Sequence, residues 1–142
     1  MSFNFKYKSV RLKSGEIIPR PMIPLTLNGK EKIDVIGMLD SGSDMTLIPL
    51  ELAEILEINY THENEVFGIS GIPVKSKEGK ISITFGKGHE TYNFEIAVLV
   101  PQKENMPMII GRAGFFNQFK ITFFESERKI EFKKVQSSEV KF

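Results

Sequence analysis

The sequence contains no cysteine and only two histidines among its 142 residues. The absence of cysteine excludes disulfides, a thiol nucleophile and cysteine-ligated metal, and it is usual for a reducing compartment. We therefore expect a cytoplasmic protein. His62 and His89 stand apart, without the spacing of a metal site, so we interpret both as surface or loop residues and expect no metal and no cofactor.

Long apolar runs and an excess of one charge are also missing. No window approaches the roughly 18 apolar residues of a membrane-spanning helix, and the N-terminus lacks the apolar stretch of a signal peptide. With 19 basic and 18 acidic residues the net charge is +1. Because such a balance indicates neither nucleic acid nor an anionic membrane, we expect neither as a partner. The length predicts a single domain, 1–142, with a core of about 16–132.

Most segments carry strand signals, since short runs of β-branched and aromatic residues are separated by Gly, Asn and Pro. Segments 17–27 and 33–39 flank Asn28-Gly29, a dipeptide suited to the positive backbone angles of a tight hairpin turn. Three further hairpins are predicted, with turns near 68–71, at 86–88 and between 124 and 129. The protein is therefore expected to be mainly β.

Helical signals are few. Residues 49–57 place apolar side chains at 48, 52, 55 and 56 with acids between them and a proline near the start, which predicts a short amphipathic helix. A helical turn is expected around 113–117. The polar tail from residue 133 onwards is expected to be partly mobile.

The stretch Asp40-Ser41-Gly42-Ser43-Asp44 interrupts two apolar runs. A loop that follows a buried strand suits a catalytic group, because the scaffold fixes the loop while its tip stays accessible. Ser41 supplies a hydroxyl, and Gly42 allows a sharp turn that brings its N–H close to a carboxylate. The apolar flanks indicate a turn held inside the fold, where an unpaired carboxylate is costly. The alternative is an ordinary Asp-Ser-Gly turn.

Three motifs, in this order, resemble the retropepsin-like aspartic proteases, single-domain relatives of the retroviral proteases. Residues 39–44, LDSGSD, resemble the signature of a hydrophobic residue, Asp, Thr or Ser, Gly, and Ala or Ser. Residues 68–72, GISGI, followed by the strand 81–85, resemble the glycine-rich flap hairpin. Residues 109–112, IIGR, resemble the element before the C-terminal helical turn. The resemblance spans roughly 20–132 and implies a closed β-barrel of the retropepsin (acid protease) type with one or two short helices.

The resemblance also implies roles for residues of the loop. Asp40 is expected to be the catalytic acid, and its neighbours Ser41, Gly42 and Ser43 to support the active-site loop. Ser41 would bond to the matching loop of a partner subunit, and Gly42 would present its carbonyl to the substrate.

Further residues are implied in substrate binding. Asp44 would contact the substrate backbone and form an ion pair with Arg112, whose guanidinium suits a charge-assisted bond to a carboxylate. That bridge would let Asp44 lie near the core. The flap would contribute five substrate-binding residues: Gly68, Ile69, Ser70, Gly71 and Ile72.

Peptide hydrolysis by this class needs two carboxylates that share one proton, one acting as base toward water and the other as acid toward the carbonyl. The chain has only three aspartates, Asp34, Asp40 and Asp44, and one Asp-Ser-Gly. A monomer therefore cannot form the pair. A two-fold homodimer can, by bringing Asp40 and its symmetry mate together at the axis.

The leading hypothesis is an aspartic endopeptidase, a homodimeric hydrolase acting on a peptide or protein substrate. One alternative is a retropepsin-fold peptide-binding or dimerisation domain with little or no peptidase activity, which holds an extended peptide by strand addition. Another is an unrelated small β-barrel whose Asp-Ser-Gly is a turn. A phosphate-binding loop at residues 68–73 is disfavoured because neither the P-loop Lys-Ser/Thr nor a dinucleotide fingerprint follows.

The C-terminal third is rich in phenylalanine, with rings at 115, 116, 119, 123 and 124. Basic residues between them are few, whereas a nucleic-acid stacking platform combines aromatic rings with a positive groove. These phenylalanines therefore predict core or dimer interface.

Overall fold

The computed structural model describes residues 1–67 and 73–136. Their helical elements are one α-helix, α1 (Leu50–Leu56), and two 3-10 turns, Phe116–Gln118 and Glu125–Glu127. The strands are β1 (Ser2–Lys6), β2 (Lys8–Arg11), β3 (Ile17–Arg20), β4 (Met22–Asn28), β5 (Lys32–Leu39), β6 (Thr46–Leu47), β7 (Tyr60–Phe67), β8 (Pro73–Lys87), β9 (Glu90–Pro101), β10 (Ile109–Ile110), β11 (Phe119–Phe124) and β12 (Lys129–Lys134).

Seven strands form the main sheet, in the order β4-β5-β10-β6-β9-β8-β7. Strand β4 also pairs with β8, and this second pairing closes six of the strands into a barrel. Strand β7 lies outside the ring and continues the sheet as a hairpin with β8. The mainly β fold and the closed barrel expected from the sequence are confirmed. Within the described residues, no helix has the length and apolar character needed to cross a membrane.

The barrel closes because alternate side chains of its strands are apolar and point inward. In β4 the buried residues are Ile23, Leu25 and Leu27, separated by half-buried ones. Strand β8 repeats the pattern over Ile81 to Phe85, and β9 alternates as far as Val98, after which its last residues are buried on both faces. The alternation therefore fixes which face of each strand forms the core.

A second, three-stranded sheet of β1, β12 and β11 packs on the barrel through aromatic rings. Phe85 of the barrel is at the centre, and it is 1% exposed. Five rings surround it, with centroids at these distances: Phe132 4.9 Å, Phe115 5.1 Å, Phe119 5.5 Å, Phe3 5.6 Å and Phe5 5.6 Å. Because Phe3 and Phe5 take part, the core extends beyond the expected range of about 16–132.

The first predicted hairpin is confirmed by the pairing of β4 with β5, but its turn differs from the prediction. Three residues, 29–31, connect Asn28 to Lys32, and Gly29 does not have a positive φ. A Cβ on Gly29 would lie 2.6 Å from the carbonyl oxygen of Leu56, so close approach of the helix requires this glycine. The predicted strand 17–27 is also divided at Pro21, since β3 pairs with β2 instead of β5.

The predicted helix is present as α1 and buries Ala53 and Leu56. Ile55, which the pattern placed on the apolar face, is 48% exposed, because a helix of seven residues packs only a narrow stripe. The predicted turn around 113–117 is a 3-10 turn that begins at Phe116. Of the five clustered phenylalanines, Phe115 and Phe119 are core residues, while Phe123 is 40% exposed.

Phe85→Ala should destabilise the protein by about 3–5 kcal/mol, because it removes the ring that the other five surround and leaves a cavity. Urea unfolding followed by circular dichroism would measure the loss. Phe123→Ala, at an exposed position, should cost less than about 1 kcal/mol and serves as the matched control. Equal losses in the two variants would contradict the central role of Phe85.

Candidate active site

Two short parallel strands bring the predicted catalytic loop and the IIGR motif together. Strand β5 pairs with β10 so that Met38 lies opposite Ile109 and Leu39 opposite Ile110. The backbone N–H of Asp40 then donates to the carbonyl of Ile110 at 2.9 Å. Because parallel strands end at the same edge, the residues that follow each strand emerge side by side.

The Asp40 carboxylate is oriented by its own loop. The Gly42 N–H donates to Asp40 Oδ1 at 2.9 Å, and the Ser43 N–H donates to the Asp40 carbonyl at 3.2 Å. This is a local turn in which an aspartate accepts a bond from the backbone two residues on. One carboxylate oxygen is thereby held in place.

The loop itself lies at the surface of the single chain, contrary to the expectation that it is held inside the fold. Asp40 is half-buried, and Ser41 and Gly42 are exposed. Only the flanking apolar residues enter the core, for example Leu39 at 3% and Ile48 at 0% exposure. The apolar flanks therefore report the strands on which the loop is mounted, whereas the loop projects beyond the barrel edge.

A second segment, residues 111–113, supports the loop from behind. The Arg112 N–H donates to the Ser43 carbonyl at 2.9 Å, and the Ala113 N–H donates to the Asp44 carbonyl at 2.8 Å. Any Cβ on Gly111 would overlap the carbonyl of Met45. This close approach requires glycine at 111 and explains the Gly of the IIGR motif.

Thr46 is a supporting residue that the sequence did not reveal. It is 0% exposed, and its Oγ1 accepts a hydrogen bond from the Gly111 N–H at 3.1 Å. A buried N–H needs such a partner. The two groups are 65 positions apart in the chain, so no local pattern could have predicted their contact.

Arg112 and Asp44 are brought together as the resemblance implied, with Arg112 Nη2 in contact with Asp44 Oδ1. The expectation that Asp44 lies near the core is wrong, because its side chain is 84% exposed and that of Arg112 is 54% exposed. An exposed pair of this kind contributes at most about 1 kcal/mol. Its effect is to hold a carboxylate at the open edge, beside the loop.

Apolar side chains lie outward next to the loop. Met38 and Ile109 are paired across β5 and β10, and Ile109 is also paired with Leu47 of β6. All three are half-buried, because their neighbours Leu39, Ile110 and Ile48 occupy the inward positions. The open edge therefore combines a fixed carboxylate with a partly exposed apolar surface.

Of the three aspartates, Asp40 is the one whose carboxylate accepts a bond from the N–H of its own turn. Asp34 accepts a hydrogen bond from Thr26 Oγ1 at 2.6 Å within the β4–β5 pair, and Asp44 contacts Arg112. The exposed hydroxyl of Ser41 has no hydrogen bond within the described residues. A site with two matched carboxylates thus needs a second chain.

Strands β7 and β8 form the hairpin predicted to carry the flap, with pairs that run as far as Phe67 and Pro73. The five predicted flap residues, Gly68, Ile69, Ser70, Gly71 and Ile72, lie outside the described residues. His62 of β7 contacts Glu78 through Nε2, and His89 is exposed in the turn between β8 and β9.

Two solved structures that resemble this chain are aspartic proteases. A retropepsin-like aspartic protease from Rickettsia conorii matches with a TM-score of 0.55 at 14% identity, over 93% of this chain and 91% of that chain. The EIAV protease, in complex with the inhibitor HBY-793, matches with a TM-score of 0.50 at 20% identity, over 66% of this chain and 82% of that chain. The chain has the retropepsin fold. No protein-family model matches the sequence, and no curated protein matches it.

The retropepsin fold rules out the alternative of an unrelated small barrel. In this fold the loop of Asp40 and the segment of Gly111 are joined by the β5–β10 pairing described above. Identities of this size concern the fold and not the activity. The function therefore rests on the chemistry of the site itself.

Thr46→Val should destabilise the protein by about 1–3 kcal/mol, because valine keeps the shape of threonine but leaves the buried Gly111 N–H without an acceptor. Thermal or urea unfolding would measure the loss. Thr122→Val, at an exposed position of β11, is the matched control and should change stability by less than about 0.5 kcal/mol. A Thr46→Val protein as stable as the control would show that this bond does not support the loop.

Proposed function

We propose that the protein is an aspartic endopeptidase, active as a homodimer, in which a pair of Asp40 carboxylates activates water to hydrolyse a peptide bond. The observation that carries the proposal is the Asp40 carboxylate, held by the Gly42 N–H at the open edge of a retropepsin-fold barrel. Each chain supplies one such group. An isologous two-fold dimer brings the two together.

The proposed mechanism assigns opposite roles to the two carboxylates. One is ionised and removes a proton from the attacking water, while the other is protonated and donates to the oxygen of the scissile carbonyl. Two like charges in contact cannot both ionise easily, so the pair retains one proton, as aspartic proteases in general do. The tetrahedral intermediate then collapses as its nitrogen is protonated and the amine leaves.

The surroundings of Asp40 favour an extended, largely apolar peptide. Met38, Leu47 and Ile109 offer partly exposed apolar surface on the same edge as the carboxylate. Asp44 and the carbonyl of Gly42 are proposed to bind the peptide backbone. The flap, residues 68–72, is proposed to close over the substrate, and the proposed compartment is the cytoplasm.

A peptide-binding domain without peptidase activity is the second candidate, because the same apolar edge could hold a peptide by strand addition. The oriented carboxylate favours the enzyme. A binding groove has no need of an aspartate whose oxygen is fixed by a backbone N–H, whereas catalysis does.

Asp40→Asn should abolish cleavage of a mixed peptide library while leaving the circular dichroism spectrum and melting temperature close to those of the wild type. The change removes a titratable group but keeps the shape and the acceptor for the Gly42 N–H. Asp34→Asn is the matched control, since Asn can still accept the bond from Thr26, and it should retain activity. Full activity in Asp40→Asn would disprove the proposed role. If the wild-type protein itself cleaves no peptide at acidic or neutral pH, the result would favour the peptide-binding domain.

Specific activity should rise with protein concentration over the range in which the chain associates, because a monomer holds only half of the site. Initial rates per mole of chain, compared with the molecular mass from light scattering at the same concentrations, would check this. Activity in proportion to the dimer fraction is expected. A strictly monomeric protein with cleavage that depends on Asp40 would contradict the proposal.

A further inference from the structure

Residues 8–20, hereafter the arm, form a hairpin of β2 and β3 that is a separate two-stranded sheet within the described residues. A two-stranded hairpin alone is marginally stable in water. Its half-buried Val10, Leu12 and Ile18 are not among the described side chains that pack against the main core, and Ile17 is 55% exposed. In a single chain the apolar side chains of the arm therefore lie outside the main core and are only partly covered.

The arm belongs to a strongly basic part of the chain. Residues 1–32 contain seven Lys or Arg and two Glu, although the whole chain is nearly neutral. The arm itself carries four of the basic residues, and in the described part of the chain none of the four has an ion-pair partner: Lys8, Arg11, Lys13 and Arg20. Their charges are available to a partner.

The complementary charge lies in the next part of the same chain. Residues 33–67, hereafter the acidic segment, contain eight Asp or Glu and no Lys or Arg. Some of these acids are already paired, such as Asp44 with Arg112 and Glu57 with Lys30 at 2.6 Å. Three exposed acids of the segment have no ion-pair partner among the described residues: Glu51, Glu54 and Glu63.

The arm leaves the barrel at the edge where the catalytic loop opens. The Leu39 N–H donates to the carbonyl of Pro21 at 2.9 Å, and Met22 lies opposite Met38. Pro21 follows the arm directly, and Leu39 precedes Asp40. A second copy that brings its own Asp40 to this edge must therefore approach the base of the arm.

The three-stranded sheet of β1, β12 and β11 offers less surface for contact with a second copy. Strand β12 lies between β1 and β11 of its own chain, so both of its edges are already paired. The outward positions of β1 are Ser2, Asn4 and Lys6, all exposed and polar. A partner would gain little by packing on the outward side of β1, and the partly exposed ring on this sheet, Phe123, belongs to β11.

We infer that the arm is a dimerisation element: the basic arm of each chain packs on the acidic segment of the partner subunit, and the contact occurs twice about the two-fold axis. The inference rests on the homodimer of the proposed function and adds the surfaces that hold it. Charge complementarity of this kind speeds association and disfavours binding to the wrong partners. Apolar side chains of the arm would be covered in the same contact.

The test uses the full chain with Asp40→Asn, so that peptidase activity and self-cleavage play no part, and measures the dimer dissociation constant by sedimentation. Adding Lys8→Glu, Arg11→Glu and Lys13→Glu should raise that constant by roughly tenfold or more, because complementary charges become like charges. The matched control reverses three exposed lysines elsewhere: Lys80→Glu, Lys103→Glu and Lys133→Glu. It should leave the constant within about threefold of the parent.

Charge exchange tests the identity of the partner surface. Adding Glu51→Lys, Glu54→Lys and Glu63→Lys to the reversed arm should restore the dimer, since both charges are then exchanged. A weakened dimer that is not restored overturns the pairing with the acidic segment. In the parent, raising the ionic strength from about 0.05 M to about 0.5 M should weaken the dimer. This measurement does not depend on whether the charge-reversal variants fold.

The outcomes separate this inference from the proposed function. A dimer that is unaffected by arm reversal and by salt overturns the arm and leaves the homodimeric peptidase standing. A parent that is monomeric at every concentration overturns both. Equal weakening by the arm variant and by the control also overturns the inference, because the effect would then follow net charge and not the arm.

Discussion

The pairing of β5 with β10 is the constraint on which the rest of the site depends. These strands meet over only two residue pairs, Met38 with Ile109 and Leu39 with Ile110, and the Asp40 N–H extends the ladder by one bond. Strand β10 is two residues long, so it has no stability of its own. It is held because Ile110 is completely buried and because β6 pairs with it from the other side.

Support for the loop passes through backbone groups far more than through side-chain charges. The carbonyls of Ser43 and Asp44 accept bonds from residues 112 and 113, and Gly111 allows the two segments to touch. These bonds join two backbone segments at 2.9 Å and 2.8 Å, whereas the Asp44–Arg112 side-chain contact is largely exposed and correspondingly weak. The carboxylate is therefore positioned by the fold, and the ion pair adds little to its stability.

A single chain supplies only one Asp40 carboxylate to the proposed site. The uneven distribution of charge along the chain favours the pairing of two copies. Residues 1–32 carry seven basic and two acidic residues, and residues 33–67 carry eight acidic residues and no Lys or Arg, so the net charge of +1 hides a strong separation of charge along the chain. Two copies related by a two-fold axis can pair unlike parts twice. The base of the arm and the catalytic loop lie at the same end of β5, where the Leu39 N–H bonds to the carbonyl of Pro21.

The sequence alone predicted the mainly β fold, the hairpins β4–β5, β8–β9 and β11–β12, the helix after Pro49 and the loop around Asp40. It did so because alternation, turn residues and the Asp-Ser-Gly signature are local properties. It misjudged the turn at Gly29, the exposure of Ile55 and the burial of the loop. Each of these depends on what a distant segment covers, and periodicity does not report that.

What only the tertiary structure decided is which distant groups meet. The bond from Gly111 to Thr46 and the closing of the barrel by β4 and β8 join residues about 55 or more positions apart. The separation of the arm from the barrel also became visible only there. A sequence fixes the inward face of each strand through hydrophobic burial, but the choice of neighbour follows from the packing of all strands at once.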